Sequence, residues 1–319
     1  MPVNMTARSA RVQALAKVNL DLRVLGRRGD GFHELRTVFQ TVSLADTIDI
    51  AFTPARRTAI SAAANVEIPG GNIMERAAAL ALDAMRTAGR VEMRLKKRIP
   101  MGAGLGGGSS DAAAVLLALP VLVGKTLALA ELTDLAAALG SDVPFFLLGG
   151  TAVGLGRGTE LYPLPDRPAA LGLLVTPGIH VSTAEAYRDL ARPKLTSEAA
   201  QSIISVFQSC VWDQDRSSSE SLGCNDFEAV VFKRVPRLKA LKRQLERLGA
   251  TPAMLSGSGS ALFGVFRDGG QVRRARELLG KEQALPIRFV TRAAYRARWW
   301  RELGAHLADK VWPPQSRYA

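Results

Sequence analysis

Pro100-Met101-Gly102-Ala103-Gly104-Leu105-Gly106-Gly107-Gly108-Ser109-Ser110-Asp111 places five glycines within twelve residues. Before it, Val91, Met93, Leu95 and Ile99 alternate with Glu92, Arg94, Lys96 and Arg98, which predicts a strand with one wet face. After it, the Ala/Leu/Val run from Asp111 to Leu119 predicts a short helix ended by Pro120. A tight turn needs only one or two glycines. Five between a strand and a helix let the backbone come close to a ligand, where the unpaired N–H groups at the helix start favour a phosphate. Ser109 and Ser110 add hydroxyls at the same place.

Elimination narrows the kind of phosphate loop. A Walker A loop requires G-x-x-x-x-G-K-[ST], and this stretch has no lysine. Gly124-Lys125-Thr126 supplies a G-K-T, but Leu119 stands at the first glycine position and a helix precedes it, so it reads as a turn between helices. Gly102, Gly104 and Gly107 satisfy G-x-G-x-x-G. A Rossmann first strand is buried on both faces, however, and the charges at 92, 94, 96 and 98 mark one face as wet.

Outward from the loop, Val18, Leu20, Leu22 and Val24 alternate with Lys17, Asn19, Asp21 and Arg23, predicting a half-buried strand with Lys17 and Asn19 on one polar face. Thr37–Ser43 and Thr47–Phe52 read as two further short strands, and Met74–Ala88 as a helix opened near Asn72. Leu127–Leu139 is a helix that Gly140 ends, and Gly150–Leu161 and Leu171–Thr176 return to strand character. Tyr162-Pro163-Leu164-Pro165 suits a domain boundary. Asp213–Gly223 reads as a flexible connection; a last unit carries a helix over Arg237–Leu248, a loop at Ser256 and a strand over Ala261–Phe266. The class is α+β.

Hydrophobic residues make up 47% of the 319 against 22% charged, so the chain can bury a core and long disorder is not expected. Its longest apolar run, Ala112–Gly124, is interrupted by Pro120 and falls short of the roughly 20 residues a bilayer span needs. With only Cys210 and Cys224 and no apolar leader after Met1, a reducing cytoplasm is expected. The net charge of +13 is uneven: from Arg267 onward twelve Lys and Arg face five acids, so this segment carries more than half of the excess. Trp299, Trp300 and Trp312 lie among these cations. The segment reads as an amphipathic helix with docked tryptophans; charge with aromatic stacking on a single-stranded nucleic acid is the alternative. Monomer and homodimer are both compatible with the composition.

Three stretches, in order, resemble the motifs of the GHMP kinases. Ala16-Lys17-Val18-Asn19-Leu20 is similar to their first motif, Pro100–Ser110 to their P-x-x-x-G-L-G-[GS]-S-S phosphate loop, and Leu255-Ser256-Gly257-Ser258-Gly259-Ser260-Ala261 to their third. Gly29-Asp30-Gly31-Phe32-His33-Glu34-Leu35, Phe39-Gln40 and Gly140-Ser141-Asp142-Val143-Pro144-Phe145-Phe146 resemble the members that act on a cytidine diphosphate sugar alcohol, methylerythritol. A homoserine or mevalonate-like substrate is the rival within the superfamily, and Asp30–His33 argues against it.

The resemblance implies a two-domain fold with mixed and antiparallel sheets backed by helices: an ATP-binding unit over 1–162, a second unit over 163–292 and a basic Trp-containing tail over 293–319. It also implies ATP, held by Asn72 at the adenine and by Pro100, Gly102, Ala103, Gly104, Leu105, Gly106, Gly107, Gly108, Ser109 and Ser110. Mg²⁺ would come with the ATP, through Ser109 or Ser110, with no acid securing a second protein ligand. Asp142 is implied as the base for the accepting hydroxyl, with Lys17 beside it. Read without the motif, Asp142 is an N-cap for a helix over Val143–Leu148, and Lys17 an exposed strand lysine. Asn19 is placed at the alcohol, and Phe32, His33, Thr183 and Tyr187 at the cytidine, where an aromatic pair would enclose the base. The family often has tyrosine at the position of Phe32; phenylalanine keeps the ring and gives up a hydroxyl.

Overall fold

The computed structural model describes residues 7–166, 169–190, 223–280 and 282–319. Two long strands organise the first half: β1 (Arg8–Arg27) and β2 (His33–Pro54) pair antiparallel along nearly their whole length. The two short strands expected over 37–52 are therefore one strand. It stays continuous because Leu44 and Ala45 between them are buried and Asp46 is fully buried and hydrogen-bonded. β4 (Gly89–Lys96) and β5 (Thr151–Gly156) share the other side of β2, each along half of it. β3 (Ala59–Ala64) adds parallel to β4, and β6 (Glu160–Pro163) antiparallel to β5, giving a mixed six-stranded sheet.

Behind this sheet lie α1 (Ile73–Ala84), α2 (Gly107–Val123), α3 (Leu129–Leu139) and α4 (Val143–Leu148). α1 opens on Asn72, whose side chain accepts from Met74 N at 3.0 Å, but it stops before the expected Ala88 because Arg86 takes φ 47°. α2 also departs from expectation: it runs from Gly107 through Pro120 to Val123. Residues 110–122 of α2 are all buried. Packing on every side outweighs the roughly 3 kcal/mol an internal proline costs.

The second sheet, wholly antiparallel, has the order β10-β7-β9-β8, with β7 at Leu171–Thr176, β8 at Ala253–Leu255, β9 at Leu262–Phe266 and β10 at Gln283–Arg288. α5 (Thr183–Leu190), α6 (Glu228–Arg234), α7 (Pro236–Arg247) and α8 (Gly269–Leu278) accompany it. Leu173, Phe227, Leu238 and Leu245 centre its core. A third cluster, with Val18, Val38, Leu105, Met254 and Phe263, joins the two sheets. β1 meets this junction with its apolar side, through Ala16, Val18 and Leu20. Lys17, Asn19 and Asp21 on the other side are buried as well, where a wet face was expected. β4 keeps the predicted alternation, its odd residues buried and its even ones exposed.

The last helix, α9 (Arg292–Glu302), sends Tyr295, Trp299 and Leu303 into the first core. Trp300 and Trp312 pack against the same cluster. The tryptophans are thus docked on the body, as the amphipathic-helix reading expects, Trp299 buried and Trp300 and Trp312 partly so. The connection read at 213–222, together with Cys210, lies outside the described residues.

Candidate active site

The loop from Pro100 ends in the left-handed Gly106 (φ 69°), after which α2 begins. The first N–H groups of a helix have no partner within it, so Gly107, Gly108 and Ser109 present donors at the positive end of a 17-residue helix. Ser110 N already donates to Gly106 O at 2.8 Å. A Cβ on Gly108 would meet nothing nearer than Ile73 Cγ2 at 3.9 Å, so the start of α2 is open and lies beside the start of α1, where Asn72 sits. Ala103 and Leu105 point into the core and anchor the loop.

The third motif packs directly on this loop. A Cβ on Gly104 would lie 2.1 Å from Ser256 O, so only glycine permits the approach. Ser256 Oγ donates to Gly104 O at 2.9 Å, and Ala261 N to Ala103 O at 3.2 Å. Thr183 Oγ1 lies 2.7 Å from Ser258 Oγ, joining the start of α5 to the same loop, and Ser260 bonds Ile179 O.

Lys17 enters from β1 between two register irregularities, at Leu15/Lys17 and Asn19/Asp21. Such irregularities re-aim side chains. Its Nζ donates to Asn19 Oδ1 at 2.7 Å and stands 3.3 Å from Asp142 Oδ2. Asn19 Nδ2 passes the chain on to Thr37 Oγ1 at 2.7 Å. Asp142 occupies the N-cap position of α4, yet its side chain makes no capping hydrogen bond. The carboxylate is one-third exposed while the lysine is buried, leaving an acceptor facing solvent and held from behind by a cation. The capping reading of Asp142 and the exposed-lysine reading of Lys17 both fail on this geometry.

α4 is braced from the far end of the sequence. Tyr295 OH donates to Phe146 O at 2.5 Å and Trp312 Nε1 to Leu147 O at 3.0 Å, satisfying carbonyls that a helix C-terminus leaves unpaired. The segment after Arg292 thus supports the helix that carries Asp142.

The aromatic residues are arranged differently from the expected enclosure. His33 and Tyr187 stack on each other, centroids 4.7 Å apart, and leave no room for a base between them. Phe32 stands apart, 51% exposed. Burial, with the charge of Asp142 adding, pushes the Tyr187 phenol up, which places Tyr187 within electrostatic reach of the Lys17–Asp142 pair. Burial and Arg27 lower His33, favouring the neutral ring.

Two features escaped the sequence reading. Asn225 donates to Leu255 O and Gly257 O at 2.9 and 2.8 Å, gripping the third loop. A lone Asn ahead of a helix signals only a local turn, which Asn225 also makes by accepting from Phe227 N. Beneath the phosphate loop, Lys97 Nζ bridges Asp46 Oδ2 at 2.5 Å and Asp111 Oδ2 at 2.8 Å, and Asp46 Oδ1 accepts from Arg98 N and Ile99 N. Burial raises Asp111 above the usual carboxylate range in spite of Lys97. The available signal was parity: 97, one residue past β4, continues its buried alternation.

The comparisons bear on this geometry. "GHMP kinases N terminal domain" matches residues 72–150 and "GHMP kinases C terminal" residues 215–283. The 4-diphosphocytidyl-2-C-methyl-D-erythritol kinase of Solibacter usitatus is 60% identical over 316 residues, covering 98% of this chain and 99% of that one. The chain belongs to the 4-diphosphocytidyl-2-C-methyl-D-erythritol kinase family. The kinase of that name from Moorella thermoacetica is 41% identical, covering 88% and 97% of the two chains. A crystal structure of 4-(cytidine 5'-diphospho)-2C-methyl-D-erythritol kinase aligns with TM-score 0.69 at 37% identity, covering 88% of this kinase and 98% of that chain. Homoserine kinase from Cytophaga hutchinsonii aligns with TM-score 0.68 at 17% identity, over 89% and 95%, a likeness of fold. Among the described residues, no helix of this kinase is long and apolar enough to cross a membrane.

Proposed function

We propose that this kinase transfers the γ-phosphoryl group of ATP to the 2-hydroxyl of 4-diphosphocytidyl-2-C-methyl-D-erythritol, in the cytoplasm, as a step of the non-mevalonate route to isoprenoids. The observation that carries the chemistry is Asp142 Oδ2 at 3.3 Å from a buried Lys17, with no helix N–H claiming the carboxylate. The substrate is supported by the 60% relative and by the stacked rings of His33 and Tyr187, the latter within electrostatic reach of that pair.

In this mechanism ATP lies with its phosphates on the N–H groups of Gly107–Ser109, its adenine toward Asn72. Asp142 accepts the proton of the 2-hydroxyl as that oxygen attacks the γ-phosphorus. Lys17 pairs with Asp142 and offsets charge on the moving group. Asn19, fixed by Lys17 and Thr37, orients the alcohol. Thr183 and the aromatic residues hold the cytidine end, so that the unit over 163–292 helps grip the substrate while the unit over 1–162 holds the nucleotide.

Ser110 Oγ is buried and has no hydrogen-bond partner among the described residues, an oxygen of the kind a hard divalent cation takes. Ser109 and Ser110 would hold Mg²⁺ with the nucleotide, where it would neutralise phosphate charge. The test is ADP release from Mg-ATP with diphosphocytidyl-methylerythritol, homoserine and mevalonate in parallel, repeated on Asp142→Asn. Turnover with the cytidine substrate, reduced by about 10²–10⁴-fold in the variant at unchanged KM for ATP, is expected. Turnover with another alcohol alone refutes the substrate, and an active variant refutes the base.

A further inference from the structure

The turn from β5 to β6, Gly156-Arg157-Gly158-Thr159, has no part in the site described so far. Gly156 (φ 66°) and Gly158 (φ 91°) are both left-handed, so the single arginine between them is presented by a bend that other residues resist. The bend is fixed at its base. Gly158 N donates to Leu155 O at 2.9 Å and Gly156 N to Glu34 Oε1 at 3.1 Å, while the other oxygen of Glu34 takes Arg28 Nη1 at 2.6 Å.

The guanidinium so presented lies over the ring of Phe32, its central carbon 4.6 Å from the centroid. The neighbouring arginines are engaged with carboxylates, Arg28 with Asp30 and Glu34 and Arg36 with Asp21. Arg157 makes no hydrogen bond or ion pair with a described residue, and Phe32 is its ring partner. Phe32 sits in an exposed turn with half its surface in solvent, so apolar packing does not fix its ring. With His33 and Tyr187 in mutual contact, Phe32 is the aromatic of this group with a broad face to offer.

We propose that Arg157 is a positioning residue for Phe32: its guanidinium covers one face of the ring and holds it, so that the opposite face receives the planar pyrimidine of the substrate. The inference deepens the proposed function and rests on it. A planar guanidinium stacks on an aromatic face, and a ring ordered beforehand loses less freedom when the ligand arrives. The effect belongs to binding of the cytidine substrate and leaves the phosphate loop untouched.

Steady-state kinetics of Arg157→Ala, Arg157→Lys, Phe32→Ala and the double variant Arg157→Ala/Phe32→Ala test this. Arg157→Ala is expected to raise KM for diphosphocytidyl-methylerythritol about two- to fivefold, with KM for ATP and kcat unchanged. Arg157→Lys, which keeps charge but not the flat fork, should fall between. In the Phe32→Ala background the Arg157 substitution should add nothing. An equal increase in both backgrounds, a parallel rise in KM for ATP, or no rise at all overturns the proposal. Failure of the unsubstituted kinase to use the cytidine substrate overturns the proposed function and this inference together; a silent Arg157→Ala in a working kinase overturns this inference alone.

Discussion

Two glycines of the phosphate loop should fail in opposite ways when a methyl group is added. At Gly104, a Cβ would stand 2.1 Å from Ser256 O, and contacts under 3.0 Å essentially do not occur, so the two loops must separate by about 0.9 Å (3.0 − 2.1). The φ of 78° adds roughly 1–2 kcal/mol of backbone strain. Parting the loops also breaks Ser256 Oγ to Gly104 O and Ala261 N to Ala103 O, about 1 kcal/mol each. Gly104→Ala should therefore destabilise by about 3–4 kcal/mol and lower the melting temperature by roughly 5 °C. A misplacement near 1 Å in a site that acts by positioning should also cost about 10²-fold in kcat/KM. Gly108→Ala meets only an ordinary 3.9 Å contact, in a helix, and should leave stability unchanged or raise it by about 0.5–1 kcal/mol. Its methyl group would nonetheless occupy the space assigned to a phosphate, so KM for ATP should rise at least about tenfold by loss of close backbone approach. Thermal melts and initial rates with varied ATP read both. A Gly104→Ala protein as stable and active as the parent would refute the packing argument, and a Gly108→Ala protein with unchanged KM for ATP would refute the placement of the phosphates.

Three further outcomes follow from the packing around α9. Burial pushes Glu302 up to about 7, against the Gln13 N–H, Arg298 and Arg301 that favour its ionised form. The folded state therefore keeps a proton that the unfolded chain has already lost above its ordinary value near 4.5, and stability falls as pH rises from there to about 7. Glu302→Gln should gain in melting temperature over the parent at pH 8 and lose that advantage by pH 5; a pH-independent difference would contradict this. Trp299→Ala, at a side chain only 1% exposed, should cost about 3–5 kcal/mol in chemical denaturation. Removing the residues after Arg292 should cripple folding and turnover together, and a truncated protein with full kinase activity would show that the brace on α4 is dispensable.

The sequence made the phosphate loop legible because its chemistry is local: five glycines, two serines and a helix start need no tertiary partner to be recognised. Strand β4 was legible for a similar reason, its alternation reporting one dry and one wet face. The polar side of β1 misled because what covers Lys17, Asn19 and Asp21 comes from far along the chain, Asp142, Gly257 and Cys224 among it, and periodicity reports polarity, not what covers it. Pro120 misled in the reverse sense: a local rule against interior proline gave way to burial on all sides of α2. Asp142 could be chosen by motif, but its freedom from capping depends on where Lys17 ends up. The stacking of His33 on Tyr187, and the retreat of Phe32 to Arg157, depend on how the loop after β1 meets α5 and the β5–β6 turn, which no single stretch encodes.

The brace on α4 also constrains how the protein can be made. β1 and the helix carrying Asp142 leave the ribosome long before Tyr295, Trp299 and Trp312, which complete their packing. At roughly 5–20 residues per second, the nascent first sheet waits on the order of ten seconds or more with an apolar flank uncovered. During that interval the second sheet can form as a unit while the Asp142 helix is still without its last support. Competence for phosphoryl transfer would then arrive late in biogenesis, and the half-built chain would be a natural client for a holdase chaperone.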